Sequence, residues 1–162
     1  YRLADGNLQR VLQLLAKTNQ FNMTTLRYTE QELNQLITQR ALVIAIGLSD
    51  RYAEPEIIGV LIVTFPTEAR DTAVIDTFVL SCRVLGRSVE SGILGWLCQS
   101  LKQRGLRQLI GVFRPTERNV PASQVYAEHG FRQVGDGRYL LDLEQRALPV
   151  PDWFELAGDF IS

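Results

Sequence analysis

Hydrophobic and polar residues alternate along the chain with two different periods. Near the amino end, apolar residues recur every three or four positions at Leu8, Val11, Leu12 and Leu15, which is the spacing of one face of an amphipathic helix. From Ala41 onwards, β-branched and other apolar residues form short runs separated by polar segments, a pattern typical of strands. The chain therefore predicts helices first and a sheet after them.

Capping and turn residues divide this pattern into separate elements. Thr29 followed by Glu32 forms a capping box for a second helix, and Gly105 is suited to end a long one. Gly-Asp-Gly at 135–137 predicts a hairpin turn. The predicted helices cover 7–18, 30–39, 88–105 and 121–130, and the predicted strands cover 41–48, 57–65, 72–81, 106–113 and the two arms of a hairpin over 131–143.

The order of these elements predicts a single α+β domain in which three successive strands pair antiparallel. The length of 162 residues fits one domain. We place this domain at residues 1–146 and an irregular, proline-containing tail at 147–162. The sequence leaves open whether the tail packs on the domain or leads away. Because the chain begins with Tyr1 rather than Met, we expect it to be part of a longer polypeptide.

Composition and charge exclude several classes of protein. Hydrophobic residues make up 46% of the chain and charged residues 22%, which is ordinary for a folded domain and unlike a disordered segment. The formal net charge of -1 predicts neither nucleic acid nor a membrane as a partner. No apolar run approaches the ~20 residues that cross a bilayer. Two cysteines without metal-ligand spacing predict no metal site, and they favour a reduced, cytoplasmic protein.

One loop between a predicted strand and the long helix has the features of a phosphate site. Backbone N–H groups at a helix amino terminus attract phosphate, a glycine lets the backbone approach a ligand closely, and arginine adds charged hydrogen bonds. The alternative is a surface turn with two solvated arginines. The residues of this loop are Arg83, Val84, Leu85, Gly86, Arg87 and Ser88.

A second segment adds a longer pattern, N-x-x-A-x-x-x-Y-x-x-x-G-F, formed by Asn119, Ala122, Tyr126, Gly130 and Phe131. Together with R-x-x-G-x-S at 83–88, it resembles the GCN5-related N-acetyltransferase (GNAT) superfamily over nearly the whole chain. Ser88 stands where that superfamily commonly has Gly or Ala. The resemblance implies a mixed, mostly antiparallel sheet flanked by helices, whose first strand is missing here or reduced to residues 1–3.

The resemblance also implies roles for individual residues. Residues 83–88 would hold the pyrophosphate of coenzyme A or the phosphate of a carrier-bound phosphopantetheine, without a metal. Asn119 would hydrogen-bond the same arm, and Tyr126 would protonate the departing thiolate. A strand edge would pair with the pantetheine amides, and this edge comprises Phe78, Val79 and Leu80.

Several of these residues have an alternative interpretation. Tyr126 could be a half-buried helix tyrosine whose hydroxyl meets water. Asp76, an acid on an otherwise apolar strand, could be a catalytic base facing the cleft or could form an ion pair with Arg27 or Arg114. Cys82 could accept an acyl group as a thioester, or it could be a small residue packed below the loop.

Three longer blocks carry a narrower resemblance: KTNQFNMTTLRYTEQEL at 17–33, IDTFVLSCRVLGRSVE at 75–90 and RPTERN at 114–119. They resemble the carboxyl-terminal acyltransferase-like region of the FkbH-like family. There a preceding haloacid-dehalogenase (HAD)-type domain is present, and the whole protein converts 1,3-bisphosphoglycerate into a glyceryl thioester on an acyl carrier protein. This chain has no D-x-D-x-T/V motif, so the resemblance implies a HAD-type domain in the same or a neighbouring polypeptide.

The first block also supplies candidates for lining the acyl end of the site. The alternative is a polar loop whose side chains satisfy local backbone groups. These candidates are Asn19, Gln20, Asn22, Thr24, Thr25 and Arg27.

We therefore expect an acyltransferase-type domain that binds an acyl-phosphopantetheine thioester on a carrier protein or on coenzyme A. The resemblance implies that it loads a glyceryl-type unit onto an acyl carrier protein in polyketide or related biosynthesis. One alternative is a non-catalytic module that only docks the carrier protein. Another is a free-standing, acetyl-CoA-dependent N-acetyltransferase, which is less favoured because few acids are placed to hold a cationic amine.

Overall fold

A mixed sheet between two layers of helices forms the protein in the computed structural model, which describes residues 1–50 and 53–155. The helices within these residues are α1 (Asp5–Lys17), α2 (Glu30–Thr38), α3 (Val89–Gln103) and α4 (Val125–Glu128). The strands are β1 (Phe21–Asn22), β2 (Leu42–Asp50), β3 (Ala53–Thr64), β4 (Thr72–Leu80), β5 (Gln108–Val112), β6 (Arg132–Gly135) and β7 (Arg138–Asp142). No helix among the described residues is long and apolar enough to cross a membrane.

The strands form one sheet in the order β2-β3-β4-β5-β7-β6, and β1 pairs separately with β4. β4 and β5 are parallel, and all the other pairs are antiparallel. A parallel pair needs a crossover connection, which α3 provides here. The predicted α+β fold, with its three successive antiparallel strands, is therefore confirmed.

A short stretch of extended chain at the amino end takes the place of a first strand. Arg2 forms an isolated antiparallel bridge with Ile44 of β2. The N–H of Ala45 donates to the carbonyl of Tyr1 at 2.8 Å, and the N–H of Leu3 donates to Val43 at 3.2 Å. The expectation that this strand is reduced to residues 1–3 is confirmed.

Alternating residues of β2 show how the sheet separates two apolar layers. Val43 and Ala45 belong to a cluster with residues of α1 and α2, whereas Ile44 and Ile46 belong to a larger cluster with residues of α3 and α4. Successive residues of a strand point to opposite faces, so each face of the sheet is covered by one pair of helices. The residues at the centre of the sheet are consequently shielded from solvent on both sides.

Capping residues set several boundaries as expected. The Thr29 hydroxyl accepts from the Glu32 N–H at 3.3 Å, and Glu32 accepts from the Thr29 N–H at 2.7 Å. Gly105 follows α3 with a φ of +80°, a value that glycine adopts readily. The hairpin turn at 135–137 joins β6 to β7.

The predicted helix over 121–130 is wrong as a continuous element. The chain forms a 3-10 turn at Val120–Ala122, followed by the short helix α4. Between them Gln124 has φ -100° and ψ -6°, which departs from α-helical values and interrupts the hydrogen-bond ladder. The short strand β1 was not predicted either, because its two residues lie in a polar segment that the sequence analysis treated as a loop.

The tail packs against α3 as far as the structure describes it. Leu148 is buried, and a β-carbon at Gly92 would lie 3.2 Å from the Phe154 ring. A β-carbon at Gly95 would lie 3.0 Å from the carbonyl of Pro149. The two glycines therefore let the tail approach the helix closely. Residues 156–162 of the predicted tail lie outside the described residues.

Candidate active site

The central feature of the sheet is an opening between β4 and β5. These parallel strands pair only from Thr72 to Ile75 on β4 and from Gln108 to Gly111 on β5. Beyond that point β4 continues to Leu80 without β5 beside it. We call this gap the β4–β5 opening. It lies at the carboxyl ends of the two parallel strands, where the edge of β4 needs other partners.

A β-bulge places Asp76 where the two strands separate. Ile62 of β3 is opposite Thr77, and Val63 is opposite Ile75, so Asp76 is the extra residue. Bulges of this kind redirect side chains and are frequent beside active sites. Here Asp76 and Thr77 both contact the same side chain, the phenol of Tyr28.

Hydrogen bonds hold one oxygen of the Asp76 carboxylate and leave the other available. Tyr28 donates a short hydrogen bond to Oδ2, and the Thr77 hydroxyl donates to the same oxygen at 3.1 Å. Thr77 also shares a 3.1 Å hydrogen bond with Thr24. Oδ1 has no hydrogen-bond partner among the described residues. Burial, followed by the bond to Asp76, raises the pKa of Tyr28.

The predicted alternative of an ion pair at Asp76 is wrong for the described part of the chain, where no basic side chain pairs with it. Arg27 donates instead to the carbonyl of Leu15 and, at 2.9 Å, to Asn19 Oδ1. The charge of the Arg114 side chain offsets part of the rise in the pKa of Tyr28. Sequence reasoning missed Tyr28, since no local spacing connects it with a residue 48 positions away.

Tyr126 of α4 is on the other side of the opening. Its side chain is only 2% exposed and packs against Phe131 and Tyr139, with ring centroids 5.0 Å and 5.6 Å away. A β-carbon at Gly111 would overlap the Tyr126 ring, so the glycine allows the ring to lie directly against β5. The alternative of a half-buried tyrosine that meets water is therefore wrong.

The hydroxyl of Tyr126 is buried and has no hydrogen-bond partner in the described structure. A buried polar group without a partner costs about 1–3 kcal/mol, so such groups are uncommon and need an explanation. Burial, followed by the negative charge of Asp76, raises the pKa of Tyr126. The phenol is thus a protonated donor without an acceptor beside the β4–β5 opening.

The loop at residues 83–88 has the geometry of an anion site. A 3-10 turn at Cys82–Val84 leads to Gly86 and Ser88, which have φ of +76° and +56°, and α3 begins at Val89. The N–H groups of Gly86, Ser88 and Val89 donate to no acceptor in the described part of the protein. The Arg87 N–H between them donates to the carbonyl of Val84 at 3.2 Å, so Ser88 and Val89 are the successive unpaired N–H groups, and such groups around a left-handed residue form a concave anion-binding surface.

The arginines of this loop differ in their contacts. Arg83 is 71% exposed and pairs with Glu56 at 3.1 Å, and Glu56 also pairs with Arg10 at 3.0 Å. Arg87 forms no ion pair among the described residues. Arg87 is therefore the more available cation. Cys82 is exposed, so the interpretation of this cysteine as a residue packed below the loop is wrong.

The edge of β4 predicted to pair with pantetheine is already paired in this structure. Phe21 is opposite Leu80 and Asn22 is opposite Val79, and the Met23 N–H donates to the carbonyl of Phe78 at 3.1 Å. This differs from the sequence-based expectation. The reason is that an unpaired strand edge attracts any extended segment, and here residues 21–23 supply one.

Asn119 also departs from its predicted role in the described structure. The side chain is fully buried. Its Nδ2 donates to the carbonyls of Asn22 at 2.9 Å and Arg114 at 2.8 Å, and its Oδ1 accepts from the Thr116 N–H at 2.7 Å. Both amide hydrogens are therefore used to join two loops. A hydrogen bond from Asn119 to a pantetheine arm requires at least one of these contacts to open.

The candidates for the acyl end mostly satisfy local groups. Asn22 Oδ1 accepts from the N–H groups of Thr24 at 3.3 Å and Thr25 at 2.8 Å, which is the predicted alternative of local capping. Thr24 connects to the Asp76 cluster through Thr77. Gln20 is exposed, and Asn19, together with Thr25, lines a shallow cavity of about 350 Å³. Arg27 donates to Leu15 and Asn19, as described above.

The histidine and the second cysteine are held by local structure. His129 Nδ1 lies 2.7 Å from the carbonyl of Val125, and its Nε2 lies 2.8 Å from the Ser91 hydroxyl. Burial raises the pKa of the Cys98 thiol to about 12. Within residues 1–50 and 53–155 no group of three or more His, Cys, Asp and Glu side chains could hold a metal ion.

Comparison with known proteins identifies the fold. Neither a protein-family model nor a curated protein matches this chain, but solved structures do. The GNAT domain of S. lividans PAT is similar with a TM-score of 0.64 and 15% identity, covering 88% of this chain and 88% of that one. The chain has the GNAT acetyltransferase fold. This agreement confirms the predicted fold class.

Two further GNAT-fold structures show how far the similarity extends. The ribosomal-protein-S18-alanine N-acetyltransferase from Escherichia coli has a TM-score of 0.63 and 14% identity, covering 96% of this chain and 97% of that one. An aminoglycoside acetyltransferase in complex with coenzyme A has a TM-score of 0.64 and 15% identity, covering 88% of this chain and 92% of that one. At these identities the similarity concerns the fold.

Tyr126, which is buried, and Tyr28, which is half-buried, predict opposite effects of losing a hydroxyl. Tyr126→Phe removes an unsatisfied polar group, so we expect it to raise the free energy of unfolding by about 1 kcal/mol. Tyr28→Phe removes hydrogen bonds to a carboxylate, so we expect a loss of about 1.5–3 kcal/mol. Urea unfolding of both variants at pH 7 measures this contrast, and equal destabilisation would contradict the described surroundings of Tyr126.

The pH dependence of the same variant has a defined sign. The pKa of Tyr126 is raised in the folded state. Above the ordinary tyrosine pKa of about 10, the unfolded chain therefore loses the phenol proton while the folded protein keeps it, and the free energy of unfolding of the wild type falls as the pH rises. The stability advantage of Tyr126→Phe should therefore grow above pH ~10.

Proposed function

We propose that this protein is an acyltransferase-type domain that binds an acyl-phosphopantetheine thioester, carried by an acyl carrier protein or by coenzyme A. The observation that carries the proposal is the hydroxyl of Tyr126, a buried donor without an acceptor beside the opening between two parallel strands. A sulfur atom in that opening would supply the missing acceptor. The GNAT fold supports the proposal, since one neighbour of this fold is in complex with coenzyme A.

The phosphate end of the arm fits the loop at 83–88. Its unpaired N–H groups lie at the amino terminus of the 15-residue helix α3, where the helix dipole favours a negative charge. Arg87 adds a cation that no described carboxylate neutralises. The loop and Tyr126 thus suit the two ends of the arm, while the middle of the arm would need the β4 edge that residues 21–23 now cover.

Acyl transfer in this site needs a proton acceptor on one side and a donor on the other. The acceptor substrate forms a bond to the thioester carbonyl carbon as the C–S bond breaks, and its proton passes to Asp76 Oδ1. Tyr28 and Thr77 keep Oδ2 hydrogen-bonded, which fixes the carboxylate for this role. In this proposal Asp76 accepts the proton, and Tyr28 positions the Asp76 carboxylate.

Tyr126 serves the leaving group. The ordinary pKa of a thiol, about 8.5, is below that of a phenol, about 10, and burial raises the pKa of Tyr126 further. Tyr126 therefore keeps its proton at neutral pH and stabilises the departing thiolate as a hydrogen-bond donor, until the proton taken up by Asp76 returns through solvent and converts the thiolate to the thiol. No metal is needed for these steps.

The specific substrate we propose is a glyceryl-type acyl unit that is loaded onto an acyl carrier protein in polyketide or related biosynthesis in the cytoplasm. The three blocks that resemble the FkbH-like family support it, because all of them contribute to the β4–β5 opening. The block 17–33 supplies Tyr28, 75–90 supplies Asp76 and the phosphate loop, and 114–119 supplies Asn119. A HAD-type domain would provide the dephosphorylation for which this chain has no motif.

One observation favours a second function, that of a non-catalytic module which docks the carrier protein. Residues 21–23 occupy the β4 edge, and a domain that only docks a carrier has no need of that edge. In this case the loop at 83–88 would hold the phosphate of the arm, while the thioester would react on a partner domain.

The phosphate loop predicts a loss of binding when its arginines are removed together. We expect Arg83→Ala with Arg87→Ala to weaken binding of coenzyme A about tenfold or more, since a charge-assisted hydrogen bond contributes about 1.5–3 kcal/mol. Titration calorimetry measures this, with a phosphopantetheinylated carrier protein as the second ligand. The matched control removes two exposed arginines of the β6–β7 hairpin, Arg132 and Arg138, and should bind normally. Undiminished affinity of the loop variant would remove the loop from the site.

Tyr126→Phe separates catalysis from docking. With the HAD-type domain and carrier protein reconstituted, we expect the loading rate to fall about 100-fold with little change in KM, the size typical of losing one hydrogen-bond donor to a charge that develops in the transition state. Tyr139→Phe is the matched control and should load normally, since the Tyr139 ring packs against Tyr126 in a tilted arrangement. An unchanged rate for Tyr126→Phe would exclude its catalytic role and favour docking.

A further inference from the structure

Residues 21–23 lie across the β4–β5 opening, in the middle of a segment that runs from 19 to 25 and contains β1. We propose that this segment is a gate: it holds the opening closed, and it must leave the β4 edge before a phosphopantetheine arm can enter. The inference rests on the proposed function, since the arm is the ligand that displaces the segment.

The backbone of the gate joins the two walls of the opening. The Met23 N–H donates to the carbonyl of Phe78 on β4 at 3.1 Å, and the Met23 carbonyl accepts from the N–H of Arg114, just after β5, at 2.8 Å. One residue therefore takes the place that a third strand would take between β4 and β5. A ligand that pairs with β4 at this point cannot coexist with these bonds.

The side chains of the gate fill the same space. Phe21 makes an edge-to-face contact with Phe78 at 5.2 Å between ring centroids. Met23 is fully buried in the core cluster that also contains Tyr126. The gate therefore occupies the interior side of the opening, where the thiol end of an arm would have to lie to meet the Tyr126 hydroxyl.

Two features suit the segment to leave the β4 edge without unfolding of the domain. β1 pairs over only two residues. Thr25 has a φ of +55°, a left-handed value that is strained for a β-branched residue. A short ladder and a strained end both favour local opening over global unfolding.

The arm can replace the bonds that the gate gives up. The amides of pantetheine can pair with a strand edge as an extended peptide does, so the β4 carbonyl of Phe78 would again receive a donor. Release of Asn22 would also free one amide hydrogen of Asn119, which now donates to the Asn22 carbonyl. Asn119 could then make the predicted hydrogen bond to the arm, and Tyr126 would gain an acceptor.

A disulfide across the gate provides the test. Asn22 and Val79 are directly opposed, and they form a non-hydrogen-bonded pair because the next pair, Met23 and Phe78, carries the hydrogen bond. Such pairs have Cα atoms about 4.5 Å apart, within the range that a disulfide spans. The variant is Asn22→Cys with Val79→Cys in a Cys82→Ser background, which removes the exposed native thiol.

Calorimetry with coenzyme A then compares the oxidised and reduced forms of this one protein. We expect oxidation to weaken binding at least about 100-fold and reduction to restore it, while the Cys82→Ser background binds alike in both conditions. Equal binding by the oxidised and reduced forms would overturn the gate and leave the proposed function standing. If neither the wild-type protein nor any variant binds coenzyme A or the phosphopantetheinylated carrier, the proposed function fails and the gate with it.

Hydrogen exchange on the unmodified protein gives a second measurement that needs no engineered cysteine. With saturating coenzyme A, or with the phosphopantetheinylated carrier where only that binds, the amides of Met23 and Arg114 should exchange about tenfold faster or more, since the Met23 N–H loses its acceptor on Phe78 and the Arg114 N–H loses its acceptor on Met23. The amide of Ser81, which donates to Ile58 on the other edge, is the control and should not change. Unchanged or slower exchange at Met23 in the bound state would overturn the gate.

Discussion

The need to satisfy the backbone of β4 beyond its contact with β5 governs this structure. Buried backbone N–H and C=O groups almost always find partners, yet β5 pairs with β4 only as far as Ile75. Three features follow at that point: the bulge at Asp76, the inserted strand β1, and the Asn119 amide that fastens β1 to the chain after β5. The opening, its filling and the surrounding polar groups therefore have one origin.

The two tyrosines near this opening show how the same side chain can be structural or chemically available. Tyr28 donates to the Asp76 carboxylate and also contacts Thr77, so its hydroxyl is satisfied. Tyr126 is more deeply buried and has no partner among the described residues. A fold that gains nothing from a buried hydroxyl would be served as well by phenylalanine. This is why we propose that a ligand supplies the acceptor for the Tyr126 hydroxyl.

Sequence patterns identified most of the scaffold but less of the site. Residues 43–46 point alternately to the two faces of the sheet, and Thr29 caps α2 together with Glu32. Both features depend only on residues close together in the sequence, so the sequence alone predicts them. The contact of Tyr28 with Asp76 joins residues 48 positions apart and forms only when the α1–α2 loop folds across β4. β1 is two residues long, too short to produce a periodic pattern. The predicted roles of Phe78 and Asn119 toward an arm did not allow for a segment of the chain competing for the same groups.

A crystal structure with bound coenzyme A, or with the phosphopantetheine of a carrier protein, would show directly whether the arm enters the β4–β5 opening. We expect the pantetheine amides to pair with Phe78 to Leu80 and the phosphates to accept hydrogen bonds from the N–H groups at the start of α3. We also expect the sulfur to lie within hydrogen-bond distance of the Tyr126 hydroxyl. An arm bound elsewhere, with residues 21–23 still on β4 and the Tyr126 hydroxyl still without a partner, would contradict the proposal.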